Sequence, residues 1–339
     1  MSSKAPPVFI IGRLREEYLM THEDKALLPY IGGPAAYAAC AARLWQTDVK
    51  LVSRLWEPVP RDWDRPFRAT GVGTERVQTI PEADRDPVFL HQTREGDILD
   101  HHPAAHYLRA GIKLPKALIS YTSSRIGENT TDRFTPHTIQ PVDLGTGLLQ
   151  DAGLYMCPGH YLTHATLPLR ARELEARYIA VSPSPSYMNP AFHDEVAAMI
   201  QGLDAVLLDE ASCRRFFQRE AIDLPIMMET LGSFGAHFII ITCQDGQKRL
   251  WNHAQGSHWA IPAYPGHTVT SIGTQEAFGG GFIAGMLRTD DPVEACLYGN
   301  VTESLAREGY GPWYAADAHP DLAALRLAAL RETAARSRL

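Results

Sequence analysis

Residues 266–287 read GHTVTSIGTQEAFGGGFIAGML, and this stretch predicts how the rest of the chain is organised. A turn that ends at Gly273 runs directly into small and apolar residues, which favours a tightly buried helix. The start of such a helix exposes unpaired backbone N–H groups and the positive end of the helix dipole, so it can bind an anion. Glu276 lies in the first turn and could act as a general base beside that anion site. The alternative is an ordinary helix start, where an acidic residue only stabilises the helix.

The composition indicates one soluble chain with a large core. With 339 residues, 45% hydrophobic and 21% charged, it can form one large domain or two smaller ones. A net charge of −7 without a run of Lys or Arg argues against nucleic acid or an anionic membrane as the main partner. The cysteines are odd in number and scattered, which predicts reduced thiols. The N-terminal apolar run is too short for a signal peptide, and no window reaches the roughly 18 apolar residues of a membrane helix, so we expect a cytoplasmic protein.

Strand and helix patterns alternate along much of the chain. Residues 8–12 (VFIIG) form a short β-branched run closed by glycine, which predicts a buried strand at the centre of a parallel sheet. After residue 177 the alternation is clearest and predicts a doubly wound α/β sheet with right-handed crossovers. The predicted strands there are 178–181, 205–208 and 238–242, and the predicted helices are 190–201, 210–220 and 226–234.

Residues 31–56 (IGGPAAYAACAARLWQTDVKLVSRLW) place a glycine pair before an alanine-rich helix and a strand. Together with residues 266–287, this segment resembles the two signatures of the ribokinase (phosphofructokinase B) family of sugar and nucleoside kinases. The resemblance covers nearly the whole chain and implies an α/β fold: a doubly wound, mainly parallel sheet flanked by helices, with a small β lid. It implies one domain over residues 1–320 with lid segments at about 13–30 and 85–125, while the sequence pattern predicts a C-terminal amphipathic helix over 321–339.

The second signature of this family carries a catalytic Asp after a Gly-Ala-Gly anion hole. Alignment on Gly273 implies a base at Glu276 and an anion hole at Gly273, Thr274 and Gln275. Only the first glycine of the family pattern is present, and Thr270 stands where the family has its leading Asp. The resemblance therefore implies ATP-dependent phosphoryl transfer through an altered motif.

The resemblance also implies a substrate side formed by Glu17, Gly32, Gly33 and Tyr37. Glu17 follows Gly12 by five residues, where the family has an Asp that holds substrate hydroxyls; the alternative is a solvated loop residue. The glycine pair matches the family, although such a pair before a helix more often serves packing. Tyr37 replaces a substrate-binding Asn, so we expect poor binding of free ribose and fructose, and a ligand with a flat or apolar portion that stacks on the ring.

The nucleotide side implied by the resemblance consists of Thr242, Gly246 and Asn300. Asp209 and Ser212 stand at the two ends of a segment where the family has Asn-x-x-Glu, whose carboxylate organises magnesium through water. The implied cofactors are therefore ATP and Mg²⁺, although the acidic residue stands at a shifted position in this chain.

Two clusters invite interpretation as metal sites. They contain His101, His102 and His106, and Cys157, His160 and His164. With 14 histidines in the chain such clusters arise by chance, and Pro158 and Gly159 break the helix that would align the second one, so we predict no protein-bound metal centre there. His160 follows a predicted strand over 153–156 and could line a substrate pocket at the carboxyl end of the sheet.

Two functions are compatible with these residues. One is a kinase that phosphorylates a sugar, nucleoside or related alcohol, with Glu276 as base. The other is a pseudokinase that keeps the fold as a binding or assembly module. The predicted partners are a small-molecule alcohol and a nucleotide, without nucleic acid or membrane, and a homodimer could form through the lid.

Overall fold

The computed structural model describes residues 5–122, 128–147, 149–218 and 222–336. The strands are β1 Val8–Ile11, β2 Arg15–Met20, β3 Tyr30–Gly32, β4 Val49–Trp56, β5 Val72–Ile80, β6 Pro87–Gln92, β7 Ile98–Leu99, β8 Gly153–Met156, β9 Tyr178–Val181, β10 Ala205–Asp209, β11 Phe238–Thr242, β12 Lys248–Asn252 and β13 Ser257–Ile261. The α-helices are α1 Pro34–Arg43, α2 Arg65–Thr70, α3 Pro103–Arg109, α4 Tyr161–Glu173, α5 His193–Ile200, α6 Glu210–Phe217, α7 Leu224–Ser233, α8 Thr274–Thr289, α9 Pro292–Ala306, α10 Trp313–Ala316 and α11 Pro320–Arg336. Short 3₁₀ helices cover Lys116–Leu118, Pro141–Leu144 and Pro190–Phe192.

A nine-stranded sheet forms the centre of the molecule, with strand order β13-β12-β11-β10-β9-β8-β1-β4-β5. All neighbouring strands from β11 to β5 pair in parallel, and β12 and β13 extend the sheet as an antiparallel hairpin. The predicted strand over residues 8–12 is β1, which lies between β8 and β4. The doubly wound, mainly parallel sheet predicted from the sequence is therefore confirmed.

Both faces of the sheet are covered, because the strands are apolar on both sides. In β1, Val8 and Ile10 belong to the core beneath α1, α8 and α9, whereas Phe9 and Ile11 belong to the core beneath α4 to α7. The sequence pattern predicts a single helix over residues 190–201. In the structure the first three of these residues, Pro190–Phe192, form a 3₁₀ helix, and the α-helix α5 begins only at His193.

Helix α8 is buried along its length, and its small residues explain how. A side-chain carbon added to Gly280 would lie 2.1 Å from the carbonyl oxygen of Ala38 in α1. Only glycine permits this approach, so the glycine-rich run lets α8 pack directly against α1 and α9. The packing fixes the direction in which the first turn of α8 points.

A second, four-stranded sheet with order β3-β2-β6-β7 stands apart from the central sheet. The pairs β2–β3 and β6–β7 are antiparallel, and β2–β6 is parallel. These strands fall almost entirely in the segments assigned to the lid, about 13–30 and 85–125, of which residues 123–125 lie outside the described part of the chain. We call this second sheet the lid sheet.

The C-terminal helix α11 packs one face against the body of the domain. Ala323, Leu327 and Leu330 are buried in the same core as α9, while Leu325 is exposed. The Arg326 guanidinium donates to Ser304 Oγ at 2.9 Å. Among the described residues, no helix is long and apolar enough to cross a membrane.

Candidate active site

The first turn of α8 is shaped by the tight bend before it. Gly273 has a φ of +74°, which favours glycine, and α8 begins at the next residue. The Thr274 N–H and hydroxyl both donate to the carbonyl oxygen of Ser271, at 3.4 and 3.1 Å. The remaining N–H groups of a first helical turn have no intrahelical acceptor, so this turn can bind an anion.

Glu276 lies where two cavities meet. It lines a cavity of about 240 Å³ beneath the lid sheet, together with Glu17, Tyr37 and Gly273. It also lines a cavity of about 180 Å³ that reaches Asp209 and Gln275. A carboxylate in this place lines two neighbouring cavities at once.

The negative charge of Glu276 affects the pKa values of two buried neighbours, Cys157 and Tyr155. Burial, and then the negative charge of Glu276, raise the pKa of the Cys157 thiol well above its ordinary value. The same two causes contribute to the raised pKa of the Tyr155 hydroxyl. Both groups stay protonated at neutral pH, so neither competes with Glu276 as a base.

Glu17 is buried on β2, and its carboxylate accepts hydrogen bonds from other residues of the protein. Its Oε1 accepts from the Gly33 N–H at 2.8 Å, and its Oε2 accepts from the Tyr37 hydroxyl at 3.1 Å. The Tyr30 hydroxyl lies 3.1 Å from the Tyr37 hydroxyl. Burial raises the pKa of the Glu17 carboxyl, opposed by hydrogen bonds from Tyr30, Gly33 and Tyr37. Gly32 leaves room for this carboxyl, since a Cβ there would lie 2.5 Å from Glu17 Oε2.

Asp209 and Ser212 form a helix cap at the start of α6. Asp209 Oδ1 accepts from the Ser212 N–H and Asp209 Oδ2 accepts from the Ser212 hydroxyl, both at 2.7 Å. This arrangement is a regular N-cap, which a Ser three residues after the acid strengthens. Thr242 lies directly beside Asp209, as its parallel partner at the end of β11.

The predicted nucleotide residues Gly246 and Asn300 lie beside a buried ion-pair cluster. Lys248 is fully buried and donates to Glu303 Oε2 at 2.6 Å and to the Gly246 carbonyl at 3.2 Å. Arg307 also donates to Glu303, and a Cβ at Gly246 would lie 3.6 Å from its guanidinium. Asn300 donates to the carbonyl of Pro262 at 2.8 Å, and its buried Oδ1 has no hydrogen-bond partner among the residues that the structure describes.

His160 is separated from the cavities around Glu276. It lines another cavity, of about 440 Å³, beside His164 and Cys157. Its Nδ1 accepts from the Leu162 N–H at 3.1 Å, so the proton is on Nε2, which lies 2.8 Å from the Thr130 hydroxyl. Within the described chain, the structure places His160 at the N-cap of α4 rather than beside the other predicted substrate residues.

Sequence reasoning missed two ion-paired arginines, Arg13 and Arg15, and their acidic partners, of which Arg15 and Glu128 share a cavity with Glu276. Arg15 Nη2 donates to Glu128 Oε1 at 2.7 Å, and Arg13 Nη2 donates to Asp86 Oδ2 at 2.6 Å. Arg15 and Glu128 line the 180 Å³ cavity with Glu276. The two arginines, spaced by one residue after a central strand, were a visible signal, but their acidic partners lie far away in the sequence.

The carboxylates at the smaller cavity are suitable for Mg²⁺. This ion is usually held by one or two carboxylates together with water and substrate phosphates, and Asp209 and Glu276 both line the cavity. Among the described residues, no group of three or more His, Cys, Asp or Glu side chains could hold a metal ion without a substrate. The donor set therefore fits a metal that arrives with phosphate.

Comparisons with known proteins were made for both sequence and structure. No model of a known protein family matches the sequence, and no curated protein matches it. An aminoimidazole riboside kinase from Salmonella enterica, complexed with aminoimidazole riboside and an ATP analogue, matches with a TM-score of 0.69 and 17% identity over 95% of this chain and 99% of that chain. A fructokinase from Vibrio cholerae with fructose, ADP and potassium ion bound has a TM-score of 0.70 and 14% identity over 96% and 99%.

A nucleoside kinase from Methanocaldococcus jannaschii, described as an archaeal member of the ribokinase family, matches with a TM-score of 0.64 and 13% identity over 96% of this chain and 99% of that chain. These similarities cover 95–96% of this chain. The chain therefore has the ribokinase-like α/β fold, as the resemblance implied. The three solved structures named above, which share this fold, are sugar and nucleoside kinases.

Proposed function

We propose that the protein transfers the terminal phosphoryl group of ATP to a hydroxyl of a small alcohol, with Glu276 as the general base. The observation that carries this proposal is the position of Glu276, which lines both the cavity beneath the lid sheet and the cavity at Asp209. An acceptor in the first space and a phosphoryl group in the second would meet at this carboxylate. Similarity to sugar and nucleoside kinases supports the same reaction class.

Each residue then has a definite task. Glu276 takes the hydroxyl proton while the acceptor oxygen forms a bond to phosphorus and the bond to the bridging oxygen of ATP breaks, which releases ADP. The N–H groups of residues 273–275 would hold the phosphoryl oxygens. Thr242, Gly246 and Asn300 would line the nucleotide. Asp209 would hold Mg²⁺ together with phosphate oxygens, and that ion would supply charge neutralisation.

The test is ADP release measured with a panel of sugars, nucleosides and simpler alcohols. Glu276→Gln should lower turnover by about a hundredfold to ten-thousandfold, because a general base contributes that much, while nucleotide affinity stays nearly unchanged. Glu195→Gln is the matched control, since Glu195 also lies in the first turn of a helix, α5. ADP release that survives Glu276→Gln would remove this residue from the mechanism.

A second candidate is a pseudokinase that binds a ligand or a partner without turnover. The observation that favours it is the cluster of Lys248, Glu303 and Arg307 beside Gly246, which occupies space on the proposed nucleotide side. The two candidates differ in nucleotide binding. ATP with Mg²⁺ at a hundred times its dissociation constant would stabilise a nucleotide-binding protein by about 2.7 kcal/mol, so an unchanged melting temperature would favour the second.

A further inference from the structure

Tyr37 fills space at the centre of the candidate active site. The side chain is 4% exposed, and a Cβ at Gly273 would lie 2.1 Å from its Cδ1 atom. The ring therefore lies directly against the bend that precedes α8. Its hydroxyl is held at the other end by Glu17 and Tyr30, each at 3.1 Å. Contacts at both ends hold the ring in this position.

Both carboxyl oxygens of Glu17 already accept hydrogen bonds from within the protein. One carboxyl oxygen accepts from the Gly33 N–H and the other accepts from Tyr37, and the residue is 3% exposed. A sugar hydroxyl that used Glu17 would have to displace the Tyr37 hydroxyl and leave it buried without this partner. Such an exchange weakens binding by roughly tenfold to a hundredfold. Glu17 is thus placed to position Tyr37 rather than to receive a row of substrate hydroxyls.

The remaining cavity is lined by both apolar and polar side chains. Its apolar wall comes from the lid sheet through Val88, Leu90 and Ile98, and from Ile272 before α8. Its polar lining groups are Asp100, Ser271 and Glu276, together with Glu17, whose carboxyl is bonded to Gly33 and Tyr37. Arg15 also lines the cavity, but its guanidinium is bonded to Glu128. A ligand that matches these walls has an apolar body with one hydroxyl directed at Glu276.

We infer that Tyr37, positioned by Glu17, selects a compact alcohol with an apolar or flat carbon skeleton and excludes free sugars from the cavity of about 240 Å³. The role of the ligand hydroxyl as phosphoryl acceptor rests on the proposed function. The selection between ligands acts when they bind, before any phosphoryl transfer. Tyr37 is thus a specificity-determining residue, and Glu17 is a positioning residue that acts through Tyr37.

Calorimetry without nucleotide tests the selection, with benzyl alcohol and D-ribose as probes of similar size. We expect wild-type protein to bind benzyl alcohol at least about tenfold more tightly than ribose. Tyr37→Ala removes the ring and frees Glu17, so ribose affinity should rise by about tenfold or more and the preference should reverse. Tyr37→Phe frees Glu17 from the tyrosine hydroxyl but keeps the ring in place, so its gain in ribose affinity should be smaller than that of Tyr37→Ala.

Tyr37→Leu serves if the alanine variant does not fold, because it also removes most of the ring, and melting temperatures establish that each variant is folded. Equal binding of the two probes by wild type, no binding of either, or an unchanged preference in folded Tyr37→Ala or Tyr37→Leu would overturn the inference. Because no nucleotide is present, the reversal of preference can be observed even if the protein has no kinase activity. Failure of phosphoryl transfer and failure of the selection are therefore distinguishable.

Discussion

The side-chain Oε1 of Gln92 accepts a hydrogen bond from the backbone N–H of Ser271 at 3.1 Å. Gln92 ends strand β6 of the lid sheet, and Ser271 lies in the bend that leads into α8. The same oxygen accepts from the Thr270 hydroxyl, also at 3.1 Å. The lid sheet and the turn that carries Glu276 are thus joined by a buried amide.

Gln92→Leu should lower the free energy of unfolding by about 1–3 kcal/mol, because it leaves the buried Thr270 hydroxyl and the Ser271 N–H without an acceptor. Chemical denaturation measures this change. Gln78→Leu is the control, since Gln78 lies exposed on the edge strand β5 and should change stability little. Equal stabilities of the two variants would mean that the amide does not hold the bend.

A sulfate or phosphate ion should bind at the N–H groups of residues 273–276 in crystals soaked with that anion. The reason is that backbone N–H groups and the positive end of the helix dipole converge at the start of α8. Helix α9 supplies an internal control, because Asp291 Oδ1 already accepts from the Val293 and Glu294 N–H groups, at 2.8 and 3.2 Å. Ordered water in the first turn of α8, with the Gln275 side chain filling the space, would count against a phosphoryl-transfer role.

The triple change Glu276→Asp, Thr274→Ala and Gln275→Gly should lower ADP release by about a hundredfold, because shortening the base moves its carboxylate by on the order of 1 Å. The surrounding groups of an active site would already fit the longer side chain. The double change Thr274→Ala and Gln275→Gly, with Glu276 kept, separates the effect on the anion site from the effect on the base. A triple variant that releases ADP faster than wild type would indicate a decayed site instead.

His164 should make stability depend on acidic pH. Burial lowers its pKa to about 4. The ring lies 2.9 Å from the Cys157 carbonyl through Nε2, and its Nδ1 is bonded to the Tyr187 hydroxyl. Because the pKa is lower in the folded state than in the unfolded chain, the unfolded state takes up the proton first. The contribution of His164 to the free energy of unfolding is therefore fully present above about pH 6.5. This contribution, about 3 kcal/mol, is lost as the pH falls toward 4.

The measurement for His164 is the free energy of unfolding of wild type and His164→Gln between pH 7 and 4. The variant should be less stable at pH 7 and should lose less stability on acidification. His319→Gln is the control, because His319 is exposed and its removal should leave the pH dependence unchanged. Parallel pH curves for wild type and His164→Gln would show that this ring does not titrate with unfolding.

Local sequence patterns were sufficient for the main alternation of strands and helices in the central sheet, but not for the β12–β13 hairpin. The β-branched run over residues 8–12 formed the strand β1, and the small-residue run after Gly273 formed the buried helix α8. These predictions succeeded because strand and helix periods, glycine turns and apolar runs act over a few neighbouring residues. Boundaries were less certain: α6 ends at Phe217 although the pattern continued to residue 220, and residues 219–221 lie outside the described part of the chain.

The sequence by itself determined a doubly wound α/β fold and a carboxylate, Glu276, beside a helix start. Only the tertiary structure decided what surrounds that carboxylate. Arg15 bonds to Glu128, 113 residues further along the chain, and Tyr37 rests on Gly273 because α1 packs against α8. Residue types and spacing do not specify such partners, since they depend on how distant elements pack and on which polar groups remain to be satisfied when water is excluded.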